Sequence, residues 1–240
     1  MKKESFQFQQ FTIRQDQCAM KVGTDGVMLG AWANGGKRIL DIGAGTGLLC
    51  LMMAQRYPEA FIDGIEVDER AAMQARENIA TSPFAHRIRI TADSIQNYTK
   101  MKSPTKGHPF YDAVISNPPY FLNSLKNPDK NKQTARHADS LPYRDLCLAV
   151  KTLLSDHGAF SVVIPTGDCT RKIMEEASIQ GLFLRRRTNI KTTEKKIAKR
   201  CLLEFTKYRP TVLVQEEQVL QTENGLRSEW YANITKDFYL

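Results

Sequence analysis

The stretch Arg38-Ile39-Leu40-Asp41-Ile42-Gly43-Ala44-Gly45-Thr46-Gly47 decides the fold. An apolar run broken only by Asp41 predicts a buried strand, the alternating glycines predict a turn, and residues 48–55 have helical character. Strand, glycine turn and helix in that order make a nucleotide-binding corner, because glycines let the backbone approach a ligand and expose amides at the helix start. The spacing excludes two common versions of it. A dinucleotide fingerprint needs a glycine where Leu48 stands, and the stretch lacks the Lys-Ser/Thr ending of a phosphate-binding loop.

Working outward, residues 61–67 read as a second strand with Glu66 near its end. A carboxylate there can accept both hydroxyls of a ribose. Asp68 competes for that role, or caps the helix expected over residues 69–79. A third strand over residues 87–91 runs into Ala92-Asp93-Ser94, where Asp93 either accepts from an exocyclic amine or caps the next turn. The fourth, residues 111–115, passes through Ser116 into Asn117-Pro118-Pro119-Tyr120. Open α/β sheets bind ligands at this carboxyl edge of their strands. An amino group conjugated to a ring is a poor nucleophile and must be held by its protons. The Asn117 side-chain oxygen can accept one and the Pro118 carbonyl the other. Two prolines stiffen the turn, and Tyr120 offers a ring for a flat base to stack on. Taken alone, the tetrapeptide is equally a rigid turn with a core tyrosine. Upstream, Lys21-Val22-Gly23-Thr24-Asp25-Gly26 reads as a loop capped by Thr24 or Asp25 before a short apolar helix. A helix amino terminus preceded by Lys21 suits a carboxylate. Residues 6–13 suggest a strand or arm.

Downstream, residues 123–132 lack any apolar period and read as a loop beside the site, closed by Arg136 and His137. A helix (142–154), a strand (159–164), a second helix (170–179) and two strands (182–191 and 199–208) follow. Between positions 185 and 200 stand Arg185, Arg186, Arg187, Lys191, Lys195, Lys196, Lys199 and Arg200 against the single acid Glu194. Such a run is either a solvated hairpin face or a set of phosphate contacts. The tail from Thr211 is acidic instead, with a hairpin signal at Asn224-Gly225 and a helix cap at Ser228.

A chain of 240 residues suits one α/β domain: an arm and capping helix (1–36), a core (37–208) and a hairpin and helix appendage (209–240). Five scattered cysteines without a CxxC pair disfavour a disulfide framework or a zinc site and suit a reducing cytoplasm. No signal peptide and no membrane-length apolar run are expected, nor any metal, and a monomer is the default. The net charge of +8 points weakly to a polyanionic partner. No GxSxG elbow supports a serine hydrolase.

The glycine corner after Asp41 resembles motif I of the S-adenosylmethionine (SAM) methyltransferases. With Glu66, Asp93 and the tetrapeptide following in that order, the chain resembles a class I enzyme of the amino-methylating group. A narrower resemblance runs along nearly the whole length, to the bacterial tRNA1(Val) adenine-37 N6-methyltransferases. It is carried by residues 21–27, Asn117-Pro118-Pro119-Tyr120-Phe121, Ala135-Arg136-His137, Ala198-Lys199-Arg200 and Asp237-Phe238-Tyr239-Leu240. The resemblance implies a Rossmann-like α/β fold with helices on both faces of a seven-stranded mixed sheet, order 3-2-1-4-5-7-6 with strand 7 antiparallel. It implies SAM as cofactor, held by Gly43, Gly45, Gly47, Glu66 and Asp93, to which Lys21, Thr24, Asp41 and Asn117 are added from the residues. It implies tRNA as partner, with Asn117, Pro118 and Tyr120 on the target base. Phe121, Arg136, Arg185, Arg186, Arg187, Lys195, Lys196, Lys199 and Arg200 are the candidate RNA contacts. Two alternatives stay open: another acceptor, such as a ribosomal RNA base or a protein glutamine amide, and an idle RNA-binding module.

Overall fold

The computed structural model describes residues 4–18, 20–102, 110–119 and 141–240. Tyr120, Phe121, Arg136, His137 and the loop expected around them lie outside the described residues. A short hairpin, β1 (Ser5–Gln7) and β2 (Thr12–Arg14), and helix α1 (Thr24–Trp32) precede the main sheet. Strands β3 (Arg38–Ile42), β4 (Phe61–Glu66) and β5 (Ile88–Ala92) alternate with α2 (Leu48–Arg56), α3 (Glu69–Ala80) and α4 (Ile95–Lys102). Then come β6 (Tyr111–Ser116), α5 (Tyr143–Leu153), β7 (Leu154–Pro165), α6 (Asp168–Ile179), β8 (Phe183–Lys191), β9 (Arg200–Thr206), β10 (Val214–Val219) and α7 (Glu229–Thr235).

The sheet order is β10-β8-β9-β7-β6-β3-β4-β5. β9 runs antiparallel to both β7 and β8, and every other pairing is parallel. Counted from β5, this is the expected 3-2-1-4-5-7-6 order with an eighth strand added. The addition is β10, from the tail read as an appendage, and it pairs Val214 to Val219 with Arg186 to Lys191 of β8. Alternating side chains feed two cores. Ile39 joins α1, α2, α3, the β1–β2 hairpin and α7 on one face, while Leu40 and Ile42 join α4, α5 and α6 on the other.

Two local expectations change. Neither Thr24 nor Asp25 caps α1: the N-cap is Gly23 and no side chain caps it, because the Asp25 carboxylate turns to Arg200 at 2.7 Å. The amides of Gly43, Ala44, Gly45 and Gly47 are not offered to a ligand either. Gly43 and Ala44 both donate to Ile65 O at 2.9 Å, Gly45 to Glu66 Oε2 at 2.8 Å and Gly47 to Ala44 O at 2.8 Å. Positive φ angles of 80°, 53° and 81° at Gly43, Gly45 and Gly47 make this winding possible, so the glycines serve by conformation and by lacking side chains. At the other end of the chain, Ser228 accepts from Tyr231 N and caps α7 as expected.

Candidate active site

Parallel strands bring their carboxyl ends to one rim, and the turns after β3, β4, β5 and β6 converge there. The rim is braced across strands. Ser116 Oγ donates to Ile42 O at 2.7 Å, and Asp93 N donates to Glu66 O at 3.0 Å. Glu66 accepts from Gly45 N through one oxygen and from Asp68 N at 3.0 Å through the other. Asp68 itself caps α3, accepting from Ala71 N at 2.9 Å, so of the two competing acids Glu66 is the one bonded to the glycine corner. Asp93 accepts from Ser94 N at 2.7 Å and Asn97 Nδ2 at 3.1 Å.

Two adjoining cavities open on this rim. One, of about 310 Å³, is lined by Gly43, Gly45, Glu66, Asp93, Asn117 and Pro118 among others. The second, of about 430 Å³, is lined by Lys21, Thr24, Asp25, Gly43, Gly45 and Asn117 among others. They share Met20, Gly43, Gly45 and Asn117 as a common wall. Both fall in the size range of small-molecule sites. A larger and shallower groove between α6 and Arg187 contains none of the strand-end residues.

The structure thus gathers Lys21, Thr24, Gly43, Gly45, Glu66, Asp93, Asn117 and Pro118. Asp41 and Gly47 stand behind the wall. Gly47 is the N-cap of α2. Asp41 is wholly buried, and its Oδ2 accepts from Cys50 Sγ at 3.3 Å while Oδ1 has no partner among the described residues. Burial pushes its carboxyl up to about 7.

Two lining residues carried no sequence signal. Cys18 and Met20 line the first cavity, with Met20 Sδ 3.9 Å from Asn117 Nδ2. Hydrogen bonds help to place these residues: Gln17 N donates to Gln74 Oε1 at 3.2 Å, Gln74 Nε2 to Asp16 Oδ1 at 2.8 Å, and Val22 N to Gln15 Oε1 at 2.8 Å.

The basic run is mostly engaged within the protein. Arg185 and Arg186 pair with the buried Glu204 at 2.6 and 3.4 Å, and the Arg186 guanidinium lies 3.6 Å from the centre of the Trp32 ring. Arg187 Nε donates to Asn189 Oδ1 at 2.9 Å. Lys191 meets Glu217 at 2.5 Å, Lys195 meets Glu223 at 3.7 Å, and Arg200 meets Asp25. Lys196 and Lys199 have no acid partner among the described residues. Nor is there a cluster of ligands for a metal, or a helix long and apolar enough to cross a membrane, among those residues.

The chain is similar to known methyltransferases. Residues 23–180 match the model of the methyltransferase small domain family. A protein of Bacteroides thetaiotaomicron named tRNA1(Val) (adenine(37)-N6)-methyltransferase is 45% identical over 98% of this chain and 97% of its own length. One of the same name from Trichodesmium erythraeum is 40% identical over 98% of this chain and 97% of its own. Among solved structures, a predicted O-methyltransferase from Agrobacterium tumefaciens shares the fold, with a TM-score of 0.63 and 17% identity over 89% of this chain and 96% of that one.

Proposed function

This chain belongs to the methyltransferase small domain family, and we propose that it transfers a methyl group from SAM to N6 of an adenine in tRNA, adenine 37 of tRNA1(Val). The observation that carries the reading is Asn117: it follows the strand at the boundary of two adjoining cavities and lines both.

The cofactor fits what the rim offers. A Cβ added at Gly43 would meet nothing within 4 Å, so the corner presents bare backbone to the cavity. Each carboxylate oxygen can accept more than one hydrogen bond, so Glu66, though bonded to Gly45 N and Asp68 N, keeps capacity for ribose hydroxyls. Asp93 lies further along the same wall, where it accepts from an exocyclic amine. Lys21 and the start of α1 lie in the second cavity and suit the methionine carboxylate. Arg200 neutralises Asp25 there, which lowers the repulsion an anion would meet. When bound, SAM supplies an electrophilic methyl group on a cationic sulfur.

The protein's part is orientation. Asn117 and the Pro118 carbonyl accept the two N6 protons and turn the nitrogen lone pair out of conjugation, toward the methyl. Held there, SAM would supply the methyl group and keep the electron pair of the broken bond on sulfur, and the nitrogen would give up one N6 proton to water. Tyr120 and Phe121 follow directly in the chain as the stacking rings, and Arg136 is a further candidate RNA contact. Phosphate contacts fall to Lys196 and Lys199, because Arg185, Arg186, Lys195 and Arg200 hold acids of the protein itself. In this reading residues 1–240 work as one domain in the cytoplasm.

The test is incubation of the purified protein with labelled SAM and a tRNA1(Val) transcript, followed by mass spectrometry of the nucleosides. N6-methyladenosine that disappears when adenine 37 is replaced by guanine is expected. Label in a protein extract and none in tRNA would assign the acceptor to a glutamine amide, and label in neither would leave an idle RNA-binding module.

A further inference from the structure

The rim that carries Asn117 continues across β7, β9, β8 and β10, and two turns project from it: residues 192–199 and residues 221–227. Both are fastened. Thr166, just past β7, donates its N–H to Lys199 O at 3.1 Å and its Oγ1 to Ala198 O at 2.8 Å. Gln221 N donates to Thr192 O at 2.9 Å and Lys195 pairs with Glu223, which ties the second turn to the first. Arg200 closes the first turn on Asp25, and Asp25 lines the same cavity as Asn117. The turns therefore stand next to the site, joined to it through Arg200 and Asp25, without lining either cavity.

Their chemistry is unusual for solvated tips. Ile197 is 80% exposed, the highest value for a large apolar side chain among the described residues, and Leu226 on the second turn is 69% exposed. A single exposed isoleucine is ordinary, but this one sits between Lys196 and Lys199 on a tethered turn beside a cavity. An unstacked nucleotide asks for that pairing: its ring or ribose takes the apolar contact while its phosphates take the lysines.

We propose that Ile197 is a wedge that receives a nucleotide next to the methylated adenine and so holds the target base out of the anticodon-loop stack. The proposal rests on the tRNA reading above and adds the element that opens the RNA.

The experiment places 2-aminopurine, which brightens when unstacked, beside the target in a tRNA1(Val) transcript and adds the full-length protein with S-adenosylhomocysteine. Wild type is expected to raise the fluorescence. Ile197→Ser should remove most of that rise and lower kcat/KM for tRNA about tenfold, with SAM affinity by calorimetry unchanged, and Ile197→Leu should restore both. Lys196→Ala with Lys199→Ala should instead weaken binding and flatten its salt dependence while keeping the rise at saturation. An Ile197→Ser protein with the wild-type rise and kcat/KM overturns the wedge even where methyl transfer to tRNA is demonstrated. A wild type that brightens the probe without methylating it keeps the wedge and removes the transfer reading; one that does neither removes both.

Discussion

Replacing Glu204 with alanine tests what the arginine run is for. On β9, this side chain is 1% exposed. Its Oε1 accepts from Arg185 Nε at 2.9 Å and Nη2 at 2.6 Å, a fork that fixes one guanidinium. Oε2 accepts from Asn34 Nδ2 at 2.8 Å, Arg186 Nη2 at 3.4 Å and Ser161 Oγ at 3.5 Å. One carboxylate therefore ties β9 to β8, to β7 and to the segment after α1. Removing one member of a buried pair costs about 3–5 kcal/mol, because the other charge is left without compensation. The two arginine side chains keep 30% and 24% of their exposure, so water recovers part of this, and about 3 kcal/mol is expected. At a urea dependence of about 3 kcal/mol per molar, the unfolding midpoint should fall by about 1 M. A surface pair would cost under about 1 kcal/mol, so a midpoint within about 0.3 M of wild type would refute a structural role. The complementary variant, Arg185→Ala with Arg186→Ala, should lose stability while its folded fraction keeps the wild-type salt slope for tRNA. A slope lower by about two would return both arginines to the RNA.

Asn117→Ala should lower methyl transfer by at least about 100-fold while SAM binding, read by calorimetry, changes little; lost SAM affinity would move this residue to the cofactor side. Gly45→Ala forces a side chain onto a φ of 53° in the wall both cavities share, 3.8 Å from Cys18 Sγ, and SAM affinity should drop about tenfold by the same measurement. Asp41→Asn bears on pH. Its folded value of about 7 lies above the unfolded one, so the folded state holds the extra proton between about 4 and 7 and wild-type stability falls as pH rises through that window. Asparagine removes this loss, worth at most about 4 kcal/mol above pH 7, so the variant's melting temperature should gain on wild type from pH 5 to pH 8. A constant gap across that range would show that Asp41 ionises freely.

The corner and the strand ends were legible because their signals are local. Glycines at φ values other residues avoid, an apolar run before each turn, and an acid just after it are all visible one residue at a time. The basic run was not, because its meaning lies in partners distant in sequence. Glu204 sits in the next strand, Asp25 at the start of α1, and Glu217 and Glu223 in the tail. The same blindness hid β10. Val214-Gln215-Glu216-Glu217-Gln218-Val219 has little strand propensity of its own, and its acids look like a solvated tail. Beside β8 those acids become cross-strand partners: Glu217 for Lys191, and Glu216 for the hydroxyl of Thr188 at 3.3 Å. The opposite signs of the two segments were the available clue, and charge complementarity between neighbouring strands is their physical reading.

The division of the rim follows from topology. From β3 the chain winds outward through β4 to β5, then returns to lay β6 on the other side of β3 and continues through β7 toward the far edge. Connections on the two sides of that reversal diverge, which leaves a crevice between the ends of β3 and β6. Gly43 follows β3 and Asn117 follows β6, and the Ser116 bond to Ile42 O fixes the distance between those strand ends. Elements on the β4–β5 side supply Glu66 and Asp93, while elements from β7 onward supply Thr166, the tethered turns and their lysines. A change of acceptor can therefore be made beyond β7 without disturbing the glycine corner.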